Sequence, residues 1–257
     1  MSAPAPDVLV ETVGRTMVVT LNRPDRRNAM TRAQGEAIAA ALDRLDASTD
    51  LGVGVLTGAG GTFCAGMDLA RFLEGETPGV PGRGFGGLTE APPATPLVAA
   101  VEGHALAGGF ELVLACDLVV AAEDAVFGLP EVKRGLVARA GGLFRLPERI
   151  PPSIAAELVL TGDPLPAVRA AELGLVNRLT PPGGALTGAL ELAERVVANG
   201  PLALAAAKQV MRAARDWPAD ERFARQRAIT DPVFASADAA EGARAFVERR
   251  PPVWSGR

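Results

Sequence analysis

Apolar, β-branched-rich runs over residues 8–13 and again over 16–21, hinged at polar Gly14-Arg15, predict a β-hairpin. A polar loop, Asn22-Arg-Pro-Asp-Arg-Arg-Asn28, follows, and Thr31 with Gln34 three residues on has the form of a helix capping box. The helix it opens carries Ile38, Leu42 and Leu45 at helical spacing. A strand over 53–57, the loop 58–69 and a second strand over 96–101 come next. Residues 75–87 are rich in Gly and Pro without periodicity and are expected to form a mobile surface loop. After the turn Ala107-Gly108-Gly109 a short helix is predicted, then a strand over 117–122. Strand–helix–strand alternation to about residue 130 defines an α/β fold with largely parallel strands. Beyond it the pattern turns helical, with candidate helices over 153–161, 167–173, 186–198, 202–215 and 219–230. No low-complexity tract or tandem repeat is visible.

The stretch from Gly103 to Glu131 holds the candidate chemistry. Glu111 lies one turn into the short helix, flanked by Phe110 and Leu112-Val-Leu-Ala-Cys116, and a second carboxylate arrives at Leu129-Pro130-Glu131. A carboxylate among buried apolar residues is costly unless paired, and desolvation raises its pKa toward the range a general acid or base needs. The plainer alternative is a Glu facing solvent from an amphipathic helix. Gly108 and Gly109 stand where the helix begins, so their N–H groups have no helical acceptor, and glycine lets another group approach the backbone closely. That is half of an oxyanion hole; close helix–strand packing is the other use of such a pair.

Composition narrows the function class. The chain has 257 residues, 48% of them hydrophobic, enough for a substantial core. The net charge of −4 offers no nucleic-acid footprint. The 26 basic residues include only two lysines, Lys133 and Lys208, which reads as compositional bias in the gene and not as a binding signal. Two cysteines, Cys64 and Cys116, fit a reducing, cytoplasmic compartment and make no metal cluster, so no metal is expected. The start, Met1 to Pro6, lacks the features of a signal peptide, and Glu102, Glu111 and Asp117 interrupt the longest apolar runs, against a membrane span.

Four ordered motifs then resemble the crotonase (enoyl-CoA hydratase/isomerase) superfamily. They are Leu21-Asn-Arg-Pro-Asp-Arg-Arg-Asn-Ala29, Phe63-Cys-Ala-Gly-Met-Asp-Leu69, Ala107-Gly-Gly-Phe-Glu111 and Phe127-Gly-Leu-Pro-Glu131. The likeness continues through Gly141-Gly142, Leu160-Thr-Gly162 and Ala171-Glu-Leu-Gly-Leu-Val-Asn177 to 241–250, and so spans nearly the whole chain. Residues 84–90 and the tail from Phe246 look like the carnitinyl-CoA dehydratase branch and its bacterial hydratase relatives.

The resemblance implies an α/β fold built as a spiral of β-β-α units over 1–198, with a helical region over 199–257 that builds trimers, usually paired into hexamers. It implies an acyl-CoA substrate, with coenzyme A arriving as part of the substrate and no separate cofactor. By matching positions, the backbone N–H groups of Met67 and Gly108 would hold the thioester oxygen. Preformed donors of this kind are worth about 3–4 kcal/mol each on a developing enolate. Arg27, Ala29, Ala65, Gly66, Asp68 and Leu69 would lie along or near the CoA path, though Asp68 also suits a purely structural role holding its loop. Arg249 matches a basic position that reaches a neighbouring subunit's CoA phosphate, or is simply solvated.

Superfamily members that add water across an α,β-double bond use two glutamates, and both match here, as Glu111 and Glu131. The pair favours a hydratase or dehydratase, with Glu131 exchanging the C2 proton and Glu111 activating or releasing water. One departure stands out. Ala138-Arg139 occupies the place where many hydratases carry Pro-Gly, so Arg139 either shapes the acyl pocket or points outward. His104, the sole histidine, matches no catalytic position, which disfavours a Ser- or Cys-hydrolase. A double-bond isomerase and a non-catalytic acyl-CoA binding protein are the alternatives.

Overall fold

A computed structural model describes residues 5–257; most of the N-terminal stretch read for targeting signals lies outside them. The expected hairpin forms: β1 (Val8–Val13) pairs antiparallel with β2 (Thr16–Leu21). Thr31 caps α1 (Arg32–Ala47) in a complete capping box with Gln34. β3 (Val53–Gly58) follows, then α2 (Leu69–Leu73), the short strands β4 (Gly79–Val80) and β5 (Gly84–Phe85), and β6 (Leu97–Val101). β7 (His104–Leu106) leads directly into α3 (Gly108–Ala115). β8 (Leu118–Ala122) and β9 (Val126–Gly128) end at a 3-10 turn, Pro130–Arg134.

Six strands make the main sheet, in the order β1-β2-β3-β6-β8 and finally β11 (Arg178–Thr180); every pairing after the first hairpin is parallel. β7 and β9 pair parallel in a second, smaller sheet, to which β10 (Leu165–Pro166) adds an antiparallel edge. Two isolated parallel bridges, Cys64 to Ala105 and Met30 to Met67, extend that second ladder. The chain therefore coils. Each turn runs along the large sheet, then along the small one, then into a helical segment: β2, Met30, α1; β3, Cys64 to Met67, α2; β6, β7, α3; β8, β9 and the 3-10 turn. The coil repeats in structure without repeating in sequence.

Both faces of the large sheet are covered, as parallel strands require. Met17, Val19, Leu21, Leu56, Ala99, Val101, Val119 and Ala121 face the main core. The alternate residues Val18, Val53, Val55, Val98, Ala100 and Val120 pack against Ala185, Ala189 and Ala193 of α7 (Ala185–Val197). Between the coil and α7 lie α4 (Gly142–Arg149), α5 (Pro152–Thr161) and α6 (Ala167–Glu172).

The last three helices are α8 (Pro201–Ala213), α9 (Arg222–Phe234) and α10 (Ala237–Glu248); the expected boundary at 198/199 falls in the short link before α8. The buried Lys208 of α8 pegs this region to the sheet, donating to Thr95 O (2.8 Å) and Asp117 Oδ2 (2.5 Å). No residue of α9 is buried, and Phe223, Phe234, Phe246 and Val247 are all more than 70% exposed.

Two expectations need correcting. Residues 75–87 do not form a loose surface loop. They contain the β4–β5 hairpin, and Gly84, Gly86 and Gly87 are buried. Gly84, Gly86 and Gly87 serve close packing, a Cβ on Gly87 standing 2.1 Å from Gly35 O, while Gly75, Gly79 and Gly82 meet nothing. The helical candidates also stopped short. α2, α4 and α10 lie outside the candidate helices: α2 is five residues long, α4 carries Pro147, and α10 contains Gly242, a poor helix former.

Candidate active site

Each turn of the coil passes from the small sheet into a helical segment at the same end, and the candidate residues lie at those junctions. Leu106 of β7 is in register with Gly128 of β9, so Gly108 and Glu131 follow paired positions. One turn earlier, Gly66 and Met67 follow the Cys64 bridge. A Cβ on Gly66 would lie 2.9 Å from Ala107 Cβ and 3.4 Å from Gly108 N, so the two backbones pass in contact.

That contact brings the Gly66-Met67 backbone beside the start of α3. In the Met30–Met67 bridge, Met30 bonds to Gly66 O (2.8 Å) and accepts from Asp68 N (3.1 Å), which turns the N–H of Met67 away from Met30. Gly108 is the first residue of α3, where a helical N–H has no partner inside the helix. Ala107 before it holds φ +52°, an unfavourable conformation for a residue with a side chain, which aims this helix start. Both glycines of the pair are closely packed, Gly109 against backbone and Gly108 against a side chain. A Cβ on Gly109 would stand 2.2 Å from Cys64 O, and one on Gly108 would stand 2.3 Å from the ring of Phe85. The packing use of the Gly pair is thus present at both positions.

Glu111 is 3% exposed in a helix with every residue buried, so it does not face solvent. Its Oε1 accepts from Ala140 N (2.7 Å) and Gly142 N (2.9 Å), two N–H groups at the start of α4. Burial pushes its pKa up, while those N–H groups and the Arg145 guanidinium pull against the rise. Glu131, in the first turn of the 3-10 segment, is half-buried and its Oε2 is enclosed without a hydrogen-bond partner. Desolvation, opposed by its own N–H and reinforced by the charge of Glu111, pushes its pKa up to about 7. Glu111 has two backbone donors from a neighbouring loop and Glu131 has only its own N–H, with Oε2 unpartnered; the two titrate as one coupled unit.

Asp68 is a loop anchor: it caps α2 through Ala70 N (3.2 Å) and Arg71 N (3.3 Å) and pairs with Arg23 Nη1 at 3.1 Å. Burial opposes the charge, but these partners outweigh it and hold the carboxyl below its usual range. Arg27 is exposed in a left-handed conformation, and its carbonyl accepts from Ala65 N (3.0 Å), so those two positions are tied through the backbone. Ala29 and Ala65 are half-buried and Leu69 is 45% exposed at the start of α2. Arg139 is exposed, and its neighbours Ala140 and Gly142 provide the N–H groups that reach Glu111. Arg249 caps α10, exposed and without an ion pair among the described residues. His104 is exposed on β7 and its carbonyl accepts from Cys64 N, a strand role. Among the described residues, no three His, Cys, Asp or Glu side chains gather as a metal-binding group. A cavity of about 760 Å³ between α8, α9 and residues 92–94 is lined by none of the candidate residues.

Three features of the site were not read from sequence. They are the ring of Phe85 over Gly108, the N–H groups of Ala140 and Gly142, and the side chain of Arg145. The second Gly pair, Gly141-Gly142, was the available signal, since it repeats the arrangement of Gly108-Gly109 ahead of a helix.

A coil of β-β-α turns with Gly108, Glu111 and Glu131 at its junctions points to one class. The chain belongs to the enoyl-CoA hydratase/isomerase family, whose model matches residues 11–257. Among individual relatives, it is 42% identical to enoyl-CoA hydratase EchA19 of Mycobacterium tuberculosis, over 98% of this chain and 97% of that one. It is also 42% identical to a carnitinyl-CoA dehydratase of Salmonella paratyphi A, over 95% and 96% of the two chains. The solved structure of enoyl-CoA hydratase EchA1 from Mycobacterium marinum superposes with a TM-score of 0.97 at 59% identity, covering 98% of this chain and 100% of that one.

Proposed function

We propose that the chain is an enoyl-CoA hydratase or dehydratase, adding water reversibly across the α,β-double bond of an acyl-CoA thioester. The observation that carries this reading is the carboxylate pair in unequal surroundings: Glu111 fixed by two N–H donors, Glu131 half-buried with Oε2 enclosed and unpartnered and its pKa pushed up to about 7. In the hydration direction, Glu111 takes a proton from water as its oxygen bonds to C3, and Glu131 delivers a proton to C2. The π electrons pass through the thioester enolate, whose oxygen the N–H groups of Met67 and Gly108 stabilise. Dehydration runs the same steps backward. No cofactor is needed beyond the coenzyme A carried by the substrate, and the contacts of Arg27, Ala29, Ala65, Leu69 and Arg249 with it belong to this proposal. Two buried free thiols, Cys64 and Cys116, suit a cytoplasmic setting, and no described helix is long and apolar enough to cross a membrane.

The test is substitution of each carboxylate by its amide. Glu111→Gln and Glu131→Gln should keep CoA-ester binding and lose about 10²–10⁴-fold in kcat, with the double variant little worse than either. Exchange of the C2 proton with deuterated water should fall further in Glu131→Gln. Wild-type hydration rates in both single variants would end the reading; tight binding without turnover by the wild type would make the chain a binding protein.

A further inference from the structure

One side chain joins the two halves of the site. Arg145 of α4 donates from Nη1 to Ala140 O (3.2 Å) and from Nη2 to Thr89 O (2.6 Å). The first bond fixes the loop whose N–H groups, from Ala140 and Gly142, hold Glu111. That loop turns through Gly141 at φ +104°, where a Cβ would stand 2.2 Å from Arg145 Nη1, so guanidinium and loop are packed against each other. The second bond fixes the turn of Thr89, a residue 1% exposed whose Oγ1 accepts from Phe85 N (2.9 Å). Phe85 is the residue whose ring lies directly on Gly108. A planar fork with fixed donor directions suits the holding of two carbonyls at a set separation.

We propose that Arg145 is a positioning residue that sets the cradle of Glu111 and the ring over the Gly108 donor relative to each other. The proposal rests on the hydratase reading above, because it is the geometry between carboxylate and oxyanion donor that Arg145 controls. In this role it acts through the loop of Ala140 and the turn of Thr89. Its charged neighbours are Glu111 on α3, Glu148 and Arg149 on α4, and Arg212 on α8. Glu111 is thus the catalytic group within its field.

Kinetics of the intact protein with crotonyl-CoA test this, through variants that separate tether from charge. Arg145→Met removes both. Its kcat should fall about 10- to 100-fold with KM within about threefold, since small misplacements of catalytic groups cost that much. The acid limb of its kcat/KM profile should move to higher pH, because a cation favouring ionised Glu111 is gone. Arg145→Lys keeps the charge without the fork, so the limb should return to its wild-type position with kcat only partly restored. Thr89→Val breaks the far end of the tether with the charge in place, and should lower kcat without moving the limb. An Arg145→Met protein with wild-type kcat, a loss confined to KM, or a limb that Lys fails to restore would overturn the role. Should Arg145→Met not fold, wild-type kcat in Thr89→Val does so. Failure of the wild type itself to hydrate crotonyl-CoA refutes the hydratase reading and this proposal together. Turnover by the wild type with no effect in the variants refutes only the positioning role.

Discussion

At the scale of single residues, the same burial that suits Glu131 for proton transfer makes it a burden on the fold. Its pKa stands at about 7 in the folded chain against about 4.5 in the unfolded one, so the folded state holds the proton more tightly. Between those values the folded chain binds more protons, and stability falls as pH rises through that window. At pH 8 the charged carboxylate is disfavoured in place; at pH 4 both states are protonated and the difference vanishes. Glu131→Gln should therefore raise stability at pH 8 by about 1–2 kcal/mol, a figure discounted from the full shift because the residue is only half-buried. The gain should disappear near pH 4, read as Tm against pH for the two proteins. A stabilisation independent of pH would show that desolvation of the charge is not its source. The variant would be more stable and far less active, the usual trade at a strained catalytic position.

At the scale of elements, α3 shows what a sequence can and cannot carry. Its existence, its start at the Gly pair and its buried carboxylate were legible, because an apolar run around one Glu admits few arrangements. What pressed on each glycine was not legible, since Cys64 O and the Phe85 ring reach the helix from distant positions in the chain. The two contacts predict different fates for similar substitutions. Gly109→Ala drives a methyl into a backbone carbonyl of the neighbouring turn and should cost about 3 kcal/mol or more. Gly108→Ala meets an aromatic ring on a hairpin turn that can shift, so it should fold with a smaller loss and show its damage in kcat. Chemical denaturation of both variants, with kcat for the second, checks the contrast; equal destabilisation would show that the ring cannot yield. The same limit explains the misreading of residues 75–87. Glycines that permit close approach look, in one dimension, like glycines that permit motion, and only the positions of Gly35 and Ala39 tell them apart.

For the whole molecule, the contrast between the coil and its C-terminal helices is the main fact. Every residue of α3 is buried and none of α9 is, yet Phe223, Phe234, Phe246 and Val247 lie open on the last helices. Apolar area concentrated on one region of a chain marks a surface made to meet protein. We expect a trimer, or a dimer of trimers, closed through residues 199–257. Light scattering at micromolar concentration should find no active monomer; an active monomer there would refute the expectation. How far the helical pattern announced this region was limited by α10, whose Gly242 interrupts the periodicity just where the exposed Phe246 and Val247 follow.

The packing of α7 has a consequence for the birth of the protein. Val18, Val53, Val55, Val98 and Val120 wait on one face of the large sheet for alanines at 185, 189 and 193. On the ribosome, the strands emerge in order and can stack turn upon turn, but the cover for that face is translated long after them. Until then the nascent chain shows a broad aliphatic surface, the kind of surface on which chaperones bind and aggregates start. Glu111 and Glu131 are translated first, and the groups that hold Glu111, on Ala140, Gly142 and Arg145, follow well before residue 185, so a synthesis halted between 145 and 185 leaves both glutamates and those supports on an uncovered sheet.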